Sequence, residues 1–166
     1  AMPWLNWVVY DPVEYNPFKN IAPSEASIRK DLEGLRKHQF NGLITMSTKG
    51  ILGQIPRIAH EVGFTMVIAG VWDITDREDI EKSLSARNYA DAYCLGHRGL
   101  NKRYSEKDLR KTLQTFRKKT KKPVTTSEIF ADYLVNQRLI KMGDFMFPDV
   151  HAIWHTGISP GDAWQT

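Results

Sequence analysis

The chain is 166 residues long, 42% hydrophobic, 11% aromatic and 25% charged, proportions that exclude a disordered or fibrous chain and make one domain over residues 1–166 the expectation. No run approaches the ~20 apolar residues of a membrane helix, and Ala1, Met2 and Pro3 lack the basic and apolar regions of a secretory signal. Cys94 is the single cysteine, which excludes an intramolecular disulfide framework and a multi-cysteine metal cluster; the formal net charge is +4.

Short apolar, β-rich runs alternate with amphipathic stretches along almost the whole chain, the pattern of βα units around a parallel sheet. The first strand is predicted over residues 5–10, followed by a helix over 24–38, a strand over 42–46 and a helix over 51–62. Gly63 then suits the left-handed residue that closes a helix. A third strand is predicted over 65–71, with a helix over 77–85 whose start carries the capping pattern Thr75 with Glu78. The fourth strand, over 90–95, places Cys94 between Tyr93 and Leu95 as a buried thiol.

The next helix, over 106–120, begins at Ser105 with Asp108 in the same capping pattern. Most of the net charge lies between Lys102 and Lys122, where Arg110, Lys111, Arg117, Lys118, Lys119, Lys121 and Lys122 accumulate. Leu109, Leu113 and Phe116 recur at helical spacing through that segment, so the charges read as the solvated face of an amphipathic helix and no nucleic-acid partner is expected. A fifth strand over 123–126, a helix over 132–142 closed by Gly143, and a sixth strand over 145–151 complete the order. Six units fit either about three-quarters of a (β/α)8 TIM-barrel-like α/β fold or an open doubly wound sheet.

In both architectures ligands bind at the carboxyl ends of the strands. Those ends carry Tyr10 and Asp11, Ser47 and Thr48, Trp72 and Asp73, His97 and Arg98, Ser127 and Glu128, and finally His151, Trp154 and His155. Aromatic rings beside carboxylates and cations suit a sugar, whose ring faces stack while its hydroxyls take hydrogen bonds. Tyr10, Asp11, Trp72, Asp73, His97, Arg98, His151 and Trp154 are therefore candidate substrate-binding residues. Glu128 is the candidate catalytic carboxylate, with the first-turn acid of a helix as its plain structural alternative. For Asp11 before Pro12 the structural alternative is a turn residue, and for Asp73 a neighbour of a helix cap. Dinucleotide, P-loop, zinc-protease and serine-hydrolase motifs are missing from the sequence, and neither a cofactor nor a metal site is expected.

Several segments, taken in order, resemble bacterial members of glycoside hydrolase family 17, the β-1,3-glucan hydrolases and transglycosylases. They are Ile44-Thr45-Met46-Ser47, Ile55-Pro56-Arg57-Ile58-Ala59 before Gly63-Phe64-Thr65, and Gly70-Val71-Trp72-Asp73. The likeness continues through Ala90 to Gly96, Lys122 to Glu128, and Phe147-Pro148-Asp149-Val150-His151 with Trp154. The resemblance implies a TIM-barrel ancestry and a cleft for a β-linked glucan, cleaved with retention by two carboxylates about 5 Å apart. It allows an extracytoplasmic or membrane-associated parent protein.

Two departures stand against turnover. Family members carry Gly-Asn-Glu after the fourth strand, with the glutamate as general acid/base, where this chain has Gly96-His97-Arg98. An arginine does not release and recover a proton at neutral pH. The family nucleophile follows a seventh strand, which lies beyond the six units here. The expectation is thus a carbohydrate-active protein of this ancestry, with a non-catalytic glycan- or partner-binding module as the alternative. Arg98 pairing with Glu128 would hold such a binding surface, and unpaired edges predict self-association or a partner that completes the barrel.

Overall fold

Five parallel strands form one sheet in the computed structural model, which describes residues 4–150. They are β1 (Trp7–Tyr10), β2 (Gly42–Thr45), β3 (Met66–Val71), β4 (Ala92–His97) and β5 (Val124–Ser127), and they lie side by side in chain order. The connections hold α1 (Glu25–Lys37), α2 (Ile55–Glu61), α3 (Arg77–Ser85) and α4 (Glu106–Thr120). Two short helices, α5 (Phe130–Val135) and α6 (Gln137–Ile140), follow β5.

The central strands β3 and β4 read as near-continuous apolar runs and are buried on both faces of the sheet. Leu43, Val67, Ala69, Val71, Tyr93, Leu95 and Val124 point to one face and join the buried residues of α1, α2 and α4. Those include Ile28 and Leu32 of α1, Ile58 and Ala59 of α2, and Leu109, Leu113 and Phe116 of α4. Ile80 and Leu84 of α3 pack on the same face. The opposite face presents Ile44, Ile68, Ala92 and Cys94, and takes Phe145 and Phe147 rather than a layer of helices. The register agrees, since Ile44 pairs with Ile68 and Ile68 with Ala92.

The doubly wound alternative needs a reversal in strand order and helices on both faces. The described strands show no reversal, and α1 to α4 cover one face. Among the described residues β1 and β5 are each bonded into the sheet on one side only.

Local chemistry explains most helix ends. Ser24 caps α1 by accepting from Ser27 N at 3.0 Å. Ser105 and Asp108 form the expected capping box of α4, with Ser105 Oγ accepting from Asp108 N at 3.1 Å. The charged segment around α4 is the amphipathic helix its spacing predicts. Gly63 has φ +96°, the left-handed conformation expected after α2.

Four expectations are corrected. The box of Thr75 with Glu78 does not form: Asp76 caps α3 by accepting from Glu78 N and Asp79 N, while Thr75 bonds to Asp73. The helix over 132–142 breaks at Asn136, whose side chain accepts from Arg138 N and donates to Glu106, a local competition with the helical ladder that asparagine favours. Gly143 is not among the residues with left-handed backbone.

The sixth strand is reduced to one bridge between Ile129 and Asp149. Asp144 N still donates to Val124 O, but Phe145 O is taken by the Thr125 hydroxyl and Pro148 has no N–H for a ladder. The segment instead lays Phe145 and Phe147 on the open face of the sheet.

Candidate functional site

A cavity of about 410 Å³ opens at the carboxyl ends of the strands. Val9, Ile44, Cys94 and Phe147 give it an apolar floor. Trp72, His97, Arg98 and Asp149 form the polar and aromatic part of its wall.

Trp72, His97 and Arg98 are carried there by strand ends, and Asp149 by the segment that follows α6. Trp72 follows β3, and its backbone N–H donates to Asp79 Oδ2 at 2.9 Å. Asp79 is buried at the start of α3 and also accepts from Thr48 N at 2.7 Å and from the Ser47 and Thr48 hydroxyls. Burial raises the carboxyl pKa of Asp79 against the pull of these donors. The Trp72 side remains 43% exposed, and its ring stands 4.4 Å from that of His97 at 33°.

His97 ends β4, and the chain then turns through Arg98 in a left-handed conformation, φ +50°. Arg98 N is held by Ser127 O at 2.9 Å. Asp149 arrives from the segment that replaces the sixth strand, locked by its N–H to Glu128 O and by Phe130 N to its own carbonyl. Its Oδ2 lies 3.2 Å from Arg98 Nε and 3.6 Å from His97 Nε2. A carboxylate facing a guanidinium in a partly buried wall is an ion pair.

The structure therefore gathers Trp72, His97 and Arg98 from the candidate set. Tyr10 is turned to the helical face, where its hydroxyl donates to Asp31 at 2.9 Å. Asp11 is exposed beyond β1 and does not line the cavity. Asp73 accepts from Thr75 and meets Arg103 at 3.1 Å, the arrangement of a turn residue. His151 and Trp154 lie outside the described residues.

Glu128 is fully buried and does not line the cavity. It accepts from the Tyr104 hydroxyl at 2.6 Å and from Leu100 N at 3.1 Å. Burial raises its carboxyl pKa, opposed by those two donors. The pairing of Arg98 with Glu128 is corrected: the guanidinium goes to Asp149, because the Ile129–Asp149 bridge brings that carboxylate to the rim.

Asp149, Phe147 and Arg103 escaped the sequence reading as site residues. Strand-end logic follows residues just past apolar runs, whereas Asp149 arrives on a folded-back segment. Cys94 sits in the floor with its thiol pushed up to about 12 by burial, which keeps it neutral.

Asp149 is the one carboxylate lining the cavity among the described residues. Retaining cleavage of a glycoside needs a pair. Nor do three His, Cys, Asp or Glu side chains gather to hold a metal among those residues. Aromatic stacking, hydrogen bonding and apolar contact are what this wall offers a ligand. Comparison of the chain with protein-family models, with curated proteins and with solved structures finds no match.

Proposed function

We propose that this chain is a glycan-binding module that takes a β-linked glucan in the cavity at the strand ends without cleaving it. The observation that carries this reading is the half-exposed Trp72 ring at the cavity wall, beside His97 and the Arg98–Asp149 pair and above an apolar floor. A half-exposed ring with polar groups around it suits the apolar face and the hydroxyls of a sugar.

The unreversed strand order and the single helical face favour a partial (β/α)8 barrel over a doubly wound sheet, in keeping with the resemblance to glycoside hydrolase family 17. Arg98 at the position of the family acid/base, and the burial of Glu128 outside the cavity lining, favour binding over hydrolysis.

The test is incubation with β-1,3-, β-1,4- and β-1,6-linked glucose oligosaccharides, following products and thermal shift together. A ligand-induced rise in Tm with no product is the expected result. Trp72→Ala should weaken binding about tenfold, the scale of one lost aromatic contact. Product release would make the chain an enzyme, and no shift with any oligosaccharide would end the glycan reading.

A further inference from the structure

Glu128 is a fully buried carboxylate that touches neither the cavity nor a cation, so its place in the fold calls for another role. Besides Thr126 of β5, whose hydroxyl donates to Oε1 at 3.4 Å, the residues it holds belong to the loop of residues 98–105 between β4 and α4. Its Oε1 accepts from the Tyr104 hydroxyl at 2.6 Å and its Oε2 from Leu100 N at 3.1 Å.

Tyr104 has little room to sit elsewhere. A Cβ built on Gly99 would lie 2.2 Å from its ring, and one built on Gly96 would lie 2.3 Å from its hydroxyl. Two glycines therefore clear the slot, and the carboxylate marks its end.

Arg103, next in the chain, carries this order to the site. Its guanidinium carbon lies 5.9 Å from the centre of the Tyr104 ring and 5.9 Å from that of Trp72. Its Nε meets Asp73 Oδ2 at 3.1 Å, and its Nη2 donates to the carbonyls of Trp72 and His97. Asp79 holds the Trp72 backbone, but the ring of Trp72 is set by its neighbours His97 and Arg103.

We propose that Glu128 is a positioning residue for the Trp72 ring, acting through Tyr104 and Arg103. A ring held in place before a ligand arrives loses less side-chain entropy on binding, so the positioning raises affinity. That consequence rests on the glycan-binding reading; the positioning itself exists without ligand.

The experiment follows the indole N–H resonance of Trp72 in the ligand-free full chain, assigned with Trp72→Phe. Tyr104→Phe removes one hydroxyl and keeps the ring beside Arg103; Glu128→Ala removes the carboxylate. Both are expected to move the Trp72 resonance and leave that of Trp7 in place. Glu128→Gln, whose amide oxygen still accepts from Tyr104, should restore most of the original position. A Trp72 resonance that stays put in Tyr104→Phe and in Glu128→Ala while Tm falls makes Glu128 a structural anchor only and overturns the proposal.

If Glu128→Ala does not fold, Tyr104→Phe and Arg103→Leu decide the matter by the same resonance. In parallel, Tyr104→Phe should weaken a β-1,3-linked glucose oligosaccharide about two- to tenfold, the worth of one aromatic contact. If the unaltered chain binds no oligosaccharide, the glycan reading fails while the resonance still decides the positioning.

Discussion

A single carbon added at Gly70 would strike backbone that has nowhere to go. Its Cβ would lie 1.9 Å from the Thr45 carbonyl oxygen, while Gly70 N is already bonded to Thr45 Oγ1 at 2.9 Å. Relief would require parting β2 from β3. Gly70→Ala is therefore expected to destabilise the protein by about 2 kcal/mol, within the range for overpacking a core. The shift in the urea midpoint measures it, and an unchanged midpoint would show that the strands can separate locally without cost. A glycine inside a strand signals a close approach, yet the sequence does not say what approaches. Gly63 was legible because a helix end followed by a strand demands a left-handed residue. Gly143 follows α6 in the same pattern, but a Cβ added there would lie 3.0 Å from Phe145 O and 3.1 Å from Thr125 Oγ1, so its lack of a side chain serves packing instead.

Between elements, the pair of His60 on α2 and Asp91 just before β4 ties a helix to the amino end of the sheet. His60 Nε2 is 3.1 Å from Asp91 Oδ2, and the same oxygen accepts from Val67 N at 2.8 Å. The bond to Asp91 raises the imidazole pKa above its ordinary value. Burial disfavours the Asp91 anion, but His60 and Val67 outweigh it and hold the carboxyl below its usual range.

A raised folded pKa stabilises below the unfolded value, about 6.5 for histidine, and that share is lost as pH rises through the folded value. The lowered carboxyl stabilises above about 3.9, its unfolded value, and its share is lost as pH falls through the folded one. The pair thus contributes most near pH 5.5. His60→Gln should lower the urea midpoint more at pH 5.5 than at pH 8.5; an equal loss at both would show that the charge of His60 contributes nothing. None of this was legible locally, since His60 and Asp91 are 31 residues apart. The capping box at Ser105 was legible because both partners lie within one turn.

Across the whole molecule, the face of the sheet without helices is the least expected feature and the one that makes the site. It carries two cavities, of about 410 and 400 Å³, with Ile44 and Phe147 lining both. Phe147 thus stands between them. Phe147→Ala should merge the two, cost about 2 kcal/mol because the ring is only partly buried, and increase binding of an apolar dye. A dye signal that does not change would mean the neighbouring Phe145 closes the gap. Val9, 50% exposed on edge strand β1, shows how open this face remains among the described residues.

Alternating apolar and amphipathic periods determined by themselves the α/β class, the five strands, the four main helices and the burial of Cys94 and of the apolar side of α4. Those features follow from local periodicity and from caps whose partners are neighbours in the chain. Tertiary structure alone decided that residues 145–149 fold onto the sheet instead of extending it, that Asp149 rather than Glu128 meets Arg98, and that Glu128 lies under a loop. Each of those outcomes depends on which distant backbone groups are already taken: the Thr125 hydroxyl claims Phe145 O, Pro148 offers no donor, and Tyr104 reaches Glu128 first.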